Sequence, residues 1–296
     1  MLLEMTFEVK QMKTAALLTC HNRNTKTLAC LKSLYDILPN VEVYLTDDGC
    51  TDGTAETVKM TFPKVHIVRG DGSLYWNRGM LAAWKEAVKV DYDEYLWLND
   101  DVVLYPDFYT ELKACCPNGD CIVSGLIEDF DKTRIIYGGY DASKQLVQAT
   151  GQSQNIRWMN GNVVLVPKTV VEKIGLLDPY FIHDLGDVDY GMRAQEHGIA
   201  VVSTRWPIAL GYRNDVCRIR KWGTTLSERF KALRKPLGSP LDKNFYFRRK
   251  HFGIIHAIAY NANIIFINLL PDWLVKKIWG DTYIDKQINF VGIFSL

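Results

Sequence analysis

Several common signatures are missing from this 296-residue sequence. No apolar run reaches the roughly 20 residues that cross a bilayer as one helix. The nearest approach, Ile254–Leu270, is interrupted by His256, Asn261, Asn263 and Asn268, which suits an interfacial or packed helix better than a spanning one. The amino terminus, MLLEMTFEVKQMK, sets Glu4 and Glu8 inside its short apolar stretch, so it reads as neither signal peptide nor anchor, and the active region is expected to face the cytoplasm. An excess of one charge is missing as well: 35 Lys and Arg stand against 34 Asp and Glu, for a net charge of +1, which excludes wholesale nucleic-acid binding. With 48% hydrophobic residues the chain is not a disordered one. The cysteines, at 20, 30, 50, 115, 116, 121 and 217, are odd in number and contain none of the two-residue-spaced doublets of a zinc site, so reduced thiols in a cytosolic protein are expected. Neither a Walker loop nor a Gly-x-Gly-x-x-Gly fingerprint follows the first strand-like run, which disfavours P-loop and dinucleotide chemistry.

What is present, between Thr14 and about Val103, is an alternation of short β-rich runs with helical periodicity, the pattern of a parallel sheet covered by helices. The runs are Ala15–Thr19, Val41–Thr46, Val65–Val68 and Tyr95–Leu98. Leu28, Leu31, Leu34, Tyr35 and Leu38 recur at helical spacing between the first two, and Trp76, Met80, Ala83, Trp84, Ala87 and Val88 do so between the last two. Such sheets bind ligands beyond the carboxyl ends of their strands, so the loops after each run are the first places to look.

Those loops are polar. The first reads Thr19-Cys20-His21-Asn22-Arg23-Asn24 and the second Thr46-Asp47-Asp48-Gly49-Cys50-Thr51-Asp52-Gly53-Thr54. A carboxylate at a strand end can accept from the imide N–H of uracil or thymine, a role open to Asp47 and Asp48; a turn with a helix cap built from Asp, Gly and Thr explains the same residues. A third loop, Arg69-Gly70-Asp71-Gly72-Ser73, opens the helix bearing Trp76, Asn77 and Arg78, as a ligand-facing helix start or a plain capped helix. The fourth run stops abruptly at Asn99-Asp100-Asp101. Adjacent carboxylates repel unless a cation sits between them, and oxygen ligands with phosphate co-ligands suit magnesium or manganese; a helix cap ahead of Pro106 is the structural alternative.

The second half is less regular, with strand-like Cys121–Leu126, Val163–Val166 and Ile199–Ser203, a helical stretch after Pro167 and an acidic loop at 183–189. After Trp206 the composition shifts. Residues 218–250 hold eleven Lys and Arg against only Glu228 and Asp242, and they run into the apolar stretch at 254–270.

In this order the four loops resemble the glycosyltransferase family-two enzymes of the GT-A fold, over roughly residues 14 to 210. The resemblance implies an α/β fold of the GT-A type, a Rossmann-like mixed sheet flanked by helices. It divides the chain into a catalytic domain at 1–210, with a nucleotide-sugar half at about 14–103 and an acceptor half at about 104–210, and a helical carboxyl-terminal extension at 211–296. It also implies transfer of a sugar from a nucleotide diphosphate with inversion. In that family the Asp47-Asp48-Gly49-Cys50 loop would contact the base, Asn99 and Asp100 the ribose, and Asp101 a divalent cation, Mn or Mg. The start of the third-loop helix, Gly72-Ser73-Leu74-Tyr75-Trp76-Asn77-Arg78-Gly79, is similar to an Ala-Arg-Asn-x-Gly element, with Trp76 where an Arg is often found. Donor contacts on this pattern extend to Thr19, His21 and Arg23, to Gly72, Trp76 and Arg78, and to Asn160 and Gly161 of the Met159-Asn160-Gly161-Asn162 loop. Asp187 takes the position of the general base, with Gly186 where the family has Glu; it also has a plain reading as the cap of a helix over 188–197. Tyr212 and Arg213 stand where relatives carry a His toward the diphosphate.

The expected partners are a UDP- or dTDP-sugar donor and a glycan or polyprenyl-linked acceptor in bacterial surface polysaccharide synthesis. Residues 218–270 would touch an anionic membrane surface, and no nucleic acid is involved. The competing readings are a sugar-phosphate nucleotidylyltransferase, which would want glycines in Thr19–Asn24, and a catalytically inactive sugar-binding subunit, suggested by Asn99 and Gly186.

Overall fold

The computed structural model describes residues 12–213 and 219–279; the amino-terminal segment, Cys217 and Arg218 of the readings above lie outside the described residues. The first half alternates strand and helix: β1 (Thr14–Cys20), α1 (Asn24–Ile37), β2 (Glu42–Asp47), α2 (Thr54–Thr61), β3 (His66–Arg69), α3 (Tyr75–Ala87), β4 (Glu94–Leu98), β5 (Val103–Leu104) and α4 (Phe108–Cys115). The second half contributes β6 (Ile122–Asp129), β7 (Ile135–Tyr137), β8 (Gly139–Tyr140), β9 (Trp158–Met159), β10 (Val163–Pro167), α5 (Lys168–Ile174), α6 (Gly186–Glu196) and β11 (Val201–Gly211). Four helices follow: α7 (Leu226–Leu233), α8 (Leu241–Phe252), α9 (Ile254–Leu269) and α10 (Asp272–Trp279).

The main sheet runs β3-β2-β1-β4-β10-β6-β11-β5, with β7 added to β6. Strands β3, β2, β1 and β4 are parallel, whereas β10 is antiparallel to both its neighbours, so the sheet is mixed. Its central strands are largely apolar because both faces are covered. Period-two alternation sends Ala16, Leu18, Val43, Leu45, Leu96, Leu98, Val163 and Leu165 into one core with Leu31 and Leu34 of α1 and Phe108 of α4. The intervening Ala15, Leu17, Tyr44, Trp97, Val164 and Val166 enter the other core with Met80 and Trp84 of α3 and Tyr190 of α6. The strand order reverses at β1, between β2 and β4, and register pairs Cys20 with Asp47 and Asp47 with Arg69, which brings the polar loops to one rim.

Three readings are corrected here. Cys116 and Cys121 are joined in a disulfide, because the turn after α4, with left-handed Gly119, brings their Cα atoms within 6.0 Å; count and spacing carry no such distance. Helix α6 begins at Gly186 with Leu185 as its cap, so Asp187 lies inside the first turn and does not cap it. The strand expected at Ile199–Ser203 starts at Val201 and continues to Gly211, passing Pro207 at a register shift.

The carboxyl-terminal helices pack on the α/β core. Phe247 of α8 enters a cluster with Trp158, Phe181, Leu185, Val188 and Met192. Half of the basic segment is committed inside the molecule: Arg220 and Arg229 bind Asp272 and the Leu270 carbonyl, Arg248 lies 3.8 Å over the Tyr260 ring, Lys243 lies 3.8 Å over the Tyr180 ring, and Lys250 meets two carboxylates. Lys221, Lys231, Arg234, Lys235 and Arg249 remain exposed. No single helix among the described residues is long and apolar enough to cross a membrane; α9 and α10 meet the length and composition test only together, across a bend of 119°.

Candidate active site

The rim formed by the strand ends opens into a cavity of about 980 Å³. Thr19, His21, Arg23, Asp48, Gly72, Trp76, Asn99, Asp100, Asp101, Asn160, Gly161 and Asp187 all line it, although they come from loops up to 168 residues apart. Asp47 and Arg78 do not. Asp47 is buried beneath its loop, where one oxygen accepts from the Cys50 N–H at 2.8 Å and the other pairs with Arg69. The Arg78 Nε donates instead to the Pro179 carbonyl at 3.1 Å, tying α3 to the loop ahead of α6. Tyr212 and Arg213 reach the rim, with the Lys26 ammonium 3.8 Å over the Tyr212 ring.

Asp48 faces the cavity, but its carboxylate is engaged. It accepts from the N–H groups of Gly72 (2.9 Å), Leu74 (3.2 Å) and Tyr75 (2.9 Å), the orphan donors ahead of α3. What it presents to a ligand is therefore a fixed loop edge rather than a free carboxylate. His21 reinforces that edge, its Nδ1 lying 2.6 Å from the Asp48 carbonyl.

At the end of β4 the two carboxylates already share a cation, since Arg23 Nη1 lies 3.1 Å from Asp100 and 2.9 Å from Asp101. Asp100 is buried, and the loss of hydration pushes its pKa up to about 6 against the pull of Arg23, while Thr27 donates to its second oxygen. Asp101 is the more open of the pair, at 20% side-chain exposure. The pair thus already faces one positive charge, and its donor set suits a cation. Among the described residues no third His, Cys or carboxylate joins this pair within ligand distance, so a divalent ion here would draw its remaining oxygens from a bound diphosphate and water, as magnesium and manganese commonly do.

Two departures from the family pattern explain each other. Trp76 Nε1 donates to Asn99 Oδ1 at 2.7 Å, and Asn99 Nδ2 donates to Asn162 Oδ1 at 2.7 Å. A neutral Trp–Asn–Asn chain thus occupies the floor between the metal-side carboxylates and α6. The Trp76 ring also decides its neighbour: a Cβ on Gly161 would come within 2.5 Å of it. Gly186 is equally constrained, because a Cβ there would overlap the Asn77 amide oxygen, which leaves no room for a larger side chain.

Across the cavity, Asp187 Oδ2 accepts from the Gly161 N–H at 2.8 Å and Oδ1 from the Val188 N–H at 2.9 Å. Burial pushes its pKa up to about 6 despite these donors. Tyr75 and Leu185, both on the cavity wall, are held in the left-handed region (φ 56° and 71°), as backbone at functional sites often is. Sequence reasoning missed the far wall, Pro236–Pro240 with Lys243 and Asn244, which follows β11 and carries only a Pro-Leu-Gly-Ser-Pro turn signal.

A mixed sheet with a cation-binding carboxylate pair at its strand ends and a base-like carboxylate on a facing helix defines the GT-A class of nucleotide-sugar transferases. The chain belongs to glycosyl transferase family 2, whose sequence profile matches residues 16–163. Among solved structures it is similar to the mannosyltransferase PcManGT from Pyrobaculum calidifontis in complex with GDP-Man and Mn2+ (TM-score 0.55, 13% identity, 96% of this chain and 86% of that one). It is also similar to GalNAc-T7 with UDP, GalNAc and Mn2+ (0.57, 13%, 93% and 58%) and to S. aureus TarS (0.54, 11%, 93% and 47%). At these identities the likeness shows the fold. A search of curated proteins finds no match.

Proposed function

We propose that the protein is an inverting glycosyltransferase moving a sugar from a UDP- or dTDP-linked donor to a hydroxyl of a lipid-linked glycan in the synthesis of a bacterial surface polysaccharide. One observation carries the reading: the buried carboxylate of Asp187 faces the same cavity as the cation-holding Asp100–Asp101 pair, with the neutral Asn99–Trp76 floor beside them. Breaking the glycosyl–phosphate bond leaves an electron pair on the departing diphosphate and positive charge on the sugar ring. Asp101 would hold a divalent ion, Mn or Mg, which supplies Lewis-acid stabilisation of that leaving diphosphate. The two neighbours solved with Mn2+ support this choice of cation. Arg23, released from the carboxylates it bridges, would pair with a phosphate oxygen. Asp187 takes the proton of the acceptor hydroxyl as its oxygen bonds to the anomeric carbon, and one base on the side away from the leaving group gives a single displacement. Its raised pKa makes it a stronger base than an ordinary Asp while leaving it ionised at neutral pH.

Lipid presentation of the acceptor is supported by the outer face of α9 and α10. Ile255 (81% exposed), Ile258, Phe266 and Leu269 form an apolar face of α9 at helical spacing, and beyond the bend α10 exposes Trp273 with Lys276 and Lys277. On this reading the enzyme works at the cytoplasmic side of the membrane, attached more through apolar burial than through the basic residues, half of which are engaged internally.

A thermal-shift panel of UDP-, dTDP- and GDP-sugars, with and without manganese, tests the donor: a shift that needs both sugar nucleotide and metal is expected, and none with any donor refutes the reading. Co-sedimentation with anionic and neutral vesicles tests the membrane contact. Binding that partly survives high salt is expected, and no binding to either vesicle refutes it.

A further inference from the structure

The most heavily charged buried cluster outside the cavity lies between α6 and α8. Asp189, fully buried two residues beyond Asp187, accepts from Arg193 Nε of its own helix at 2.9 Å, and from His251 Nε2 at 2.8 Å and Lys250 Nζ at 2.7 Å of α8. The other nitrogen of His251 lies 2.7 Å from Glu196, at the end of α6. With one ring nitrogen against Asp189 and the other against Glu196, the imidazole staples the first and last turns of α6 to α8. Lys250 and Tyr246 of α8 also bind Asp178, at 3.0 and 2.9 Å. The Asp178 carbonyl in turn accepts from Asn77 of α3, and the Ile182 carbonyl from the Asn77 N–H.

We infer that α8 is a positioning element for the base: Lys250 and His251 hold α6 so that Asp187 keeps its hydrogen bonds to Gly161 and Val188. The catalytic centre is then completed by the carboxyl-terminal extension, which is part of the machinery as well as a docking surface. Val188 N–H is in the first turn of α6 and has no intrahelical acceptor, so its protection depends on the Asp187 carboxylate. The placement of that turn depends on what grips α6, and its buried charge is gripped from α8 by two residues. The apolar contact of Phe247 with Leu185, Val188 and Met192 presses the same turn from the same helix. The role of Asp187 as base rests on the function proposed above; its placement by α8 does not.

The test uses the full chain with His251→Phe, Lys250→Met and His251→Gln, the last keeping one donor toward Asp189. Amide exchange followed by NMR should quicken at least tenfold at Gly161 and Val188 in the first two variants and less in His251→Gln. Gly72, Leu74 and Tyr75, whose N–H groups are held by Asp48, should stay unchanged. With whichever donor the panel identifies, kcat should fall tenfold or more in His251→Phe with donor KM unchanged, and His251→Gln should recover part of it. Uniformly faster exchange at both sets of amides, or none at Gly161 and Val188, overturns the inference. If wild type turns over no nucleotide sugar, the functional reading fails while exchange still decides the positioning role.

Discussion

Replacing Asp187 by Asn should make the protein more stable and nearly inactive. In the folded chain burial raises the Asp187 pKa from an ordinary 3.8 to about 6. The folded state therefore binds this proton more tightly than the unfolded chain, so the group favours folding at low pH and that contribution is lost as pH rises from about 4 through about 6. That rise corresponds to about 3 kcal/mol, and contact with cavity water trims the cost of the charge to about 2–3 kcal/mol at pH 8. Asn removes the charge but has one carbonyl oxygen for two N–H donors, a loss of about 1 kcal/mol. The net gain is about 1–2 kcal/mol at pH 8, or about 2–3 °C in Tm for a chain of this size. Near pH 4 the gain should vanish and leave Asn the less stable. Urea unfolding of both proteins from pH 4 to 8.5 measures the difference, which should grow through pH 5–6 and then level off. Transfer should fall about 10²–10⁴-fold with donor affinity retained, and wild-type turnover should rise as pH passes about 6. Parallel stability profiles, or a less stable Asn variant at pH 8, would refute the account of a charge held against its solvation.

Asp101→Ala should abolish manganese-dependent donor binding in calorimetry while folding is preserved, since Arg23 keeps its contact with Asp100. Gly161→Ala drives a methyl against the Trp76 ring and should cost about 1–3 kcal/mol, with a shift in indole fluorescence. Asp48→Ala strands three N–H groups ahead of α3 and should lower stability by about 1–3 kcal/mol or more, and it should weaken nucleotide binding because the loop edge loses its brace; equal nucleotide affinity in titration would count against that role.

Much of the site was legible in sequence because it is local. Apolar runs that stop at polar loops mark strand ends, and in a parallel sheet all such ends meet at one rim. That groups the loops from Thr19 to Asp101, whereas Asn160, Gly161 and Asp187 follow only from the family resemblance; twelve of the fourteen positions line one cavity. The two that do not, Asp47 and Arg78, have the right residue types in the right loops, but their functional atoms turn inward to Arg69 and the Pro179 carbonyl. The basic segment shows the same limit: composition counts charges, whereas the fold spends Arg220 and Arg229 on the carbonyls that end α9 and on Asp272.

The amino-acid sequence by itself determined the alternation of strands and helices, the order of the loops and the chemistry each offers, because periodicity and turn residues act within about ten residues of one another. Only the tertiary structure decided which carboxylates are already engaged, that Arg23 bridges Asp100 and Asp101, that Trp76 and Asn99 satisfy each other, and that Lys250 and His251 grip the helix carrying Asp187. These outcomes depend on partners 23 to 78 residues away along the chain. Whether a buried polar atom is free or satisfied is settled by those distant neighbours, because in a dry interior each donor must find an acceptor wherever the fold supplies one.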